Sequence, residues 1–174
     1  MNLEEKVKYL LDRQEIQDVI ALYSQGQDLH QGDDGNIAEQ WSKVFTEDAV
    51  LDYSTGGYHS DKATYREIIA WMRGDRGNNG VMNVFSNWQH HMGIPNVSID
   101  GDTATARTEM WCTHRAKPGE DGRTWYLDDA VMFHDKLVRT PDGWRISYRY
   151  NGILWIDAFP TIKDPSGVWD STTF

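Results

Sequence analysis

The chain has 174 residues, and its eight Trp, eight Tyr and five Phe supply the material for one sizeable core. A formal charge of -10 and a pI of about 4.9 exclude the basic footprint that nucleic acids and anionic membrane surfaces require. The single Cys112 excludes an internal disulfide and a CxxC zinc signature, and no stretch approaches the roughly 18–20 apolar residues of a membrane span.

The opening stretch MNLEEKVKYLLDRQE is charged throughout and lacks the apolar run of a signal peptide, so a soluble cytoplasmic protein is expected. Residues 3–30 predict one long amphipathic helix, with Leu3, Val7, Leu10, Ile16, Val19, Ile20 and Tyr23 near three- and four-residue spacing. Tyr23 and Asp28 lie within the same half of that helix, which QGDDG ends. A second helix is predicted over 36–45, with Ile37, Trp41 and Phe45 spaced four apart, followed by a turn at Thr46, Glu47 and Asp48. The segment 49–53 reads as a short strand. Asp61 is placed as the N-cap of a third helix carrying Tyr65, Ile68, Ile69 and Met72. The polar loop over 74–80 has neither GxGxxG nor Walker spacing, so it is not read as a phosphate cradle.

From there the pattern becomes β. A strand around His90 leads to a hairpin signal at Asp100-Gly101, and 103–114 is the return strand. A turn at 118–122 precedes a long strand over 126–138, a turn at 141–143 and a last strand over 144–159. The tail 160–174 carries Trp169 and is expected to pack on the surface or on a partner subunit. With no internal repeat and no linker, 1–174 reads as one domain. Helices grouped ahead of strands indicate an α+β fold, in which the sheet can curl around the long helix and leave an apolar cone.

The stretch NWQHHMGIPNVSIDG holds two adjacent histidines, His90 and His91. Neighbouring side chains of a strand face opposite ways, so one imidazole points inward, where it can exchange a proton near neutral pH. Pro95 interrupts the stretch and marks a bulge or an edge, so counting parity leaves both histidines as candidates. The alternative is a hydrogen-bonded structural histidine beside a surface one. Two adjacent strand histidines cannot easily share one ion, so no metal is expected at His90, His91 and His114. Trp41, Trp88, Trp111, Tyr126 and Trp155 are candidates for an aromatic pocket wall, with plain packing as the alternative.

Five segments in order, DRQEIQDVIALYSQGQD, FTEDAVLDY, HHMGIPNVSIDGDTATARTEM, VRTPDGWRISYR and LWIDAF, run almost end to end through the chain. Together they resemble the NTF2-like superfamily, and more narrowly the SnoaL-like group that includes scytalone dehydratase and bile-acid 7α-dehydratase. The resemblance implies a cone-shaped α+β barrel, its long N-terminal helix packed in a curved antiparallel sheet. It also implies cofactor-independent chemistry and a homodimer or homotrimer. Asp28 matches the Asp late in the first helix, Tyr23 the Tyr before it, and His90 or His91 the sheet His. Tyr53 matches a substrate-polarising Tyr, His114 a second pocket His, and Arg149 a pocket Arg. At the Ser and Asn positions of scytalone dehydratase this chain offers Asp128, Asp129 or Ala130, a departure that argues against that substrate.

Each match has a bland alternative: a surface Asp before a helix stop, core tyrosines, a solvated His114, and an Arg149 paired with a core carboxylate. In the functional reading Asp28 orients and charge-supports the imidazole, and Tyr23 and Tyr53 hydrogen-bond an oxygen as charge develops. The expected protein is then a dehydratase, isomerase or cyclase acting on a polycyclic or aromatic-polyketide-type small molecule. The alternative is a non-catalytic small-molecule-binding or scaffold protein of the same fold. Contact between Asp28 and a histidine inside the cone is the feature that separates them. A hydroxylating-dioxygenase β-subunit, which needs a partner chain, is a third and weaker reading.

Overall fold

A computed structural model of the protein describes residues 1–31, 36–74 and 80–160. Helix α1 spans Leu3–Leu29 and starts at a capping box, in which Asn2 accepts from the Glu5 amide and Glu5 accepts from the Asn2 amide. Its buried face begins at Asp12 and continues through Ile16, Val19, Ile20, Tyr23 and Gln27. Leu3, Val7 and Leu10, expected on the apolar stripe, are instead 78%, 48% and 62% exposed. The sheet reaches the helix no earlier than Asp12 and Glu15, which bond the Trp144 indole and amide at 3.4 and 2.9 Å, so the first turns project beyond it.

Helix α2 covers only Asn36–Trp41, because Phe45 opens strand β1, Phe45–Asp52. The turn expected at Thr46, Glu47 and Asp48 is therefore part of that strand. Gly26 lets the two helices meet: a Cβ there would lie 2.8 Å from the Trp41 indole nitrogen, which donates to the Tyr23 carbonyl. Helix α3, Tyr65–Arg73, is capped by Thr64 and not by Asp61, since Glu67 sits three residues after Thr64 and completes a capping box.

The remaining strands are β2 (Phe85–Met92), β3 (Asn96–Asp100), β4 (Thr103–Ala116), β5 (Trp125–Thr140) and β6 (Gly143–Pro160). They form a six-stranded sheet in the order β1-β6-β5-β4-β2, with β3 also paired to β4. All pairings are antiparallel except β1 with β6, which is parallel and makes the sheet mixed. β2 and β3 share one edge of β4 and are separated at Gly93–Pro95, where the Gly93 amide still bonds the Glu109 carbonyl at 2.7 Å. Two register shifts in the β5–β6 pair, after Ala130 and after Lys136, bend the longest strands around α1. The result is the expected α+β cone with a core of α1, α2, α3 and the inner sheet face. The QGDDG stop beyond Gln31, the interior of the 74–80 loop and the tail after Pro160, with Trp169, lie outside the described residues.

Candidate active site

The sheet decides between the two histidines. Trp88 and His90 take the inner face of β2, while His91 is exposed on the other. The Pro95 break separates β2 from β3, so the turn at Gly101 fixes the parity of β3 alone. The pocket candidate is therefore His90, and His91 is a surface residue.

Asp28 holds His90 twice. One carboxylate oxygen accepts from the His90 amide at 3.0 Å, and the other lies 2.6 Å from Nδ1 of the ring. A carboxylate at that distance requires a proton on Nδ1, and in the neutral ring that tautomer leaves the lone pair on Nε2. A helix C-terminus repels an anion, and these two donors offset that cost. Gln31 extends the same clasp: its side chain bonds the Trp88 carbonyl at 2.6 Å and the Trp88 amide at 3.3 Å. The end of α1 thus satisfies backbone groups that an edge strand would expose. Trp88 closes the arrangement by donating its indole N–H to the Gln27 carbonyl and lying under the Arg73 guanidinium, 4.4 Å from the ring centre.

A row of side chains crosses the sheet from this dyad. His90 is directly opposite Cys112, and Cys112 is directly opposite Asp129, so all three share the inner face. His114 follows on the same face of β4, with its ring 6.0 Å from that of His90 and 4.9 Å from that of Phe85. It is buried, not solvated, because β4 runs on to Ala116 and carries it inside. Burial, reinforced by His90, lowers its pKa to about 4, and Nδ1 faces the Leu127 carbonyl at 3.3 Å. Asp129 lies 3.8 Å from that nitrogen, too far for a hydrogen bond, and a neutral ring makes no ion pair. Burial pushes the Asp129 carboxyl up to about 6, with His90 as the main opposing influence. Burial and the neighbouring Asp129 also hold Cys112 well above the usual thiol range, so it stays a thiol.

The tyrosines form a separate cluster deeper in the core. Tyr23 and Tyr53 share a 2.6 Å hydroxyl–hydroxyl hydrogen bond, and burial raises both pKa values. Two hydroxyls joined by one O–H···O contact retain one further O–H to donate. Arg149 sits beside them in a bidentate pair with Asp135, 2.7 Å at each contact, and both side chains are fully buried. Its guanidinium lies 3.9 Å from the Phe133 ring centre and 4.3 Å from that of Tyr23. Burial opposes the charge, but the Asp135 carboxylate outweighs it and raises the Arg149 pKa. The reading of Arg149 as a substrate ligand is thus replaced by a core ion pair. No described hydrogen bond joins this cluster to Asp28 and His90.

The sequence matches the SnoaL-like domain over residues 8–150. The chain belongs to the SnoaL-like family. An uncharacterized protein of Mycobacterium tuberculosis is 34% identical over 143 residues, which span 82% of this chain and 86% of that one. A candidate scytalone dehydratase from Novosphingobium aromaticivorans superposes with a TM-score of 0.65 at 16% identity, over 90% of this chain and 93% of its own. The hexachlorocyclohexane dehydrochlorinase LinA-type3 from Novosphingobium barchaimii gives 0.65 at 15% identity, over 91% and 96%. At such identities these two structures share the fold with this SnoaL-like chain.

The tryptophans divide. Trp41 is fully buried and stacks on Tyr23 at 4.7 Å, so it belongs to the core. Trp111 is 45% exposed on the outer face and packs edge-on against Trp155 at 5.1 Å, so it does not wall the interior. Two cavities lie away from the dyad. One, of about 350 Å³, is on the outer sheet face among Ser98, Thr105, Arg107, His134, Lys136 and Tyr148. The other, of about 380 Å³, lies between α1 and α2 beside Leu22 and Lys43. At the dyad itself the Asp28 side chain is 24% exposed against 6% for His90, so solvent reaches the site along the Asp28 side. Among the described residues no three His, Cys, Asp or Glu side chains converge as metal ligands.

Sequence reading named Asp129 only as an occupant of a divergent position and gave Cys112 no role at the site. The sequence signal was one residue short: counting outward from the turn at 118–122 sets Cys112 opposite Asp128, and the observed β4–β5 register sets it opposite Asp129.

Proposed function

We propose that this SnoaL-like protein is a cofactor-independent acid–base enzyme. It removes a proton from carbon or oxygen next to a carbonyl of a polycyclic or aromatic-polyketide-type small molecule, leading to elimination, isomerisation or cyclisation. The observation that carries this reading is the clasp of Asp28 on His90. It fixes the tautomer, leaves Nε2 as the basic atom, and places a carboxylate where the imidazolium will form. The contact between Asp28 and an inward histidine favours an enzyme over a binding module. The shared fold of a candidate dehydratase and a dehydrochlorinase supports elimination, since both names describe loss of a proton and an adjacent leaving group.

Wild type, His90→Asn and His91→Asn are each incubated with a metabolite extract of the source organism and followed by mass spectrometry. Loss of one water from a feature with wild type and His91→Asn, but not with His90→Asn, is the result expected of a dehydratase. A retention change at constant mass indicates isomerisation or cyclisation. Equal activity in all three proteins would remove His90 from the mechanism. Assembly as a homodimer or homotrimer belongs to the same proposal and is read by sedimentation velocity.

A further inference from the structure

The row His90, Cys112, Asp129 ends in an ionisable group that the Asp28–His90 base does not use. Asp129 has a buried carboxylate oxygen, Oδ1, with no hydrogen-bond partner among the described residues. Its side chain is only 14% exposed, so solvent does not take that partner's place freely. The groups around it are His90 on β2, His114 and Cys112 on β4, whose thiol hydrogen-bonds the carboxylate, and Asp128 next to it on β5, while Asp28 from α1 acts on Cys112 and His114. Across β6 its register partner is Ile156, which is apolar. Cys112 remains a thiol and His114 a neutral ring, so neither stabilises an Asp129 anion as a cation would.

We infer that Asp129 is the second proton station of this site, the carboxylic acid that protonates the departing oxygen while His90 takes the proton from carbon. The inference rests on the acid–base reading above and adds a residue to it. Two strand spacings separate His90 from Asp129, about 10 Å between their backbones, with Cys112 between them on the same inner face. An elimination needs its base at the carbon end and its acid at the oxygen end of one H–C–C–O unit, and the row supplies one ionisable group on each side of Cys112. In the step the C–H bond breaks and its electron pair becomes the new C=C bond. The C–O bond breaks and its pair leaves with oxygen. His90 Nε2 gains the proton from carbon, Asp129 gives its proton to oxygen, and water departs. No oxidant or reductant is needed. The two sites are coupled in the useful direction, because a charge gained by His90 makes Asp129 more acidic. The protein is left with an imidazolium and a carboxylate, and solvent on the Asp28 side returns the proton.

A leaving-group comparison tests this. The probes are a β-hydroxy tetralone and its acetate ester, both of which eliminate to a fluorescent naphthol. Hydroxide needs a proton to leave and acetate does not. Asp129→Asn is expected to lose about 100-fold or more on the alcohol and less than about five-fold on the ester, and Asp129→Glu to regain part of the alcohol rate. His90→Asn is expected to lose activity on both. Equal loss of both substrates in Asp129→Asn overturns the role of Asp129 alone, whereas failure of wild type to eliminate the activated ester counts against the base. Infrared difference spectra of the wild-type protein across pH supply a reading without substrate. A protonated carboxyl band that titrates near neutrality and is missing in Asp129→Asn is expected, and its absence from wild type overturns the inference.

Discussion

Two polar clusters sit inside the same cone, each pairing a carboxylate with a nitrogen base, and they are built to opposite ends. Asp135 and Arg149 are fully buried, matched at two contacts and packed between rings. Asp28 and His90 are partly open, and their neighbours His114 and Asp129 are held away from their ordinary ionisation. An arginine stays charged throughout and suits a permanent pair, whereas an imidazole changes state near neutrality and suits proton traffic. Arg149 Nη1 and Asp129 Oδ1 both lack a hydrogen-bond partner among the described residues, so what sets the Asp28–His90 site apart is its partial opening and the shifted ionisation of its neighbours.

The comparison sharpens most under substitution of one member of each pair. His90→Asn is expected to cost about 10²–10⁴-fold in turnover while leaving the urea midpoint close to wild type. Asp135→Ala should do the reverse, losing about 3–5 kcal/mol of stability by stranding a buried guanidinium, as measured by urea unfolding. A large loss of turnover in a folded Asp135→Ala protein would erase the division between the clusters.

The next effect in size is a pH dependence. Unfolded His114 takes a proton near 6.5 and the folded ring only near 4, so between these values the unfolded state binds more protons and stability falls as pH drops. Asp129 has the opposite sign: its folded carboxyl takes a proton near 6 and its unfolded one near 3.8, so stability rises as pH drops through that window. In wild type the two contributions largely offset. Asp129→Asn removes one of them and should lose on the order of 2–3 kcal/mol relative to wild type between pH 6.5 and 4, at about 1.4 kcal/mol per unit. Unfolding curves collected across that range decide it; parallel curves would show that Asp129 does not hold its proton. The smallest effects belong to the outer face. His91→Ala and Trp111→Ala are each expected to change stability by less than about 0.5 kcal/mol and to leave turnover intact.

Much of this was readable from the chain because the signals are local. The long helix, the three glycine-bearing turns and the lengths of β5 and β6 follow from periodicity and turn chemistry. Asp28, Tyr23 and Tyr53 came from resemblance, since nothing in the spacing alone brings a helix carboxylate onto a distant strand. What escaped was governed by remote partners. The start of β1 at Phe45 depends on parallel pairing with β6, a hundred residues later in the chain, which leaves no local mark. Leu3, Val7 and Leu10 share a periodicity with Ile16 and Ile20, but the sheet that would cover them ends first. Arg149 and Asp135 sit on adjacent strands of a hairpin whose register shift no composition reveals.

The doublet His90-His91 has a consequence for how this site tolerates change. Because β2 is separated from β3 at Gly93–Pro95, its alignment against β4 is set by its own ladder and by the Gly93 amide. A slip of one residue would turn every side chain of β2 to the opposite face. His90 would leave the interior and His91 would enter it, one step along the strand. A slip of one residue that sets His91 opposite Cys112 therefore exchanges one imidazole for another, whereas the opposite slip sets Gln89 there and empties the site of its base.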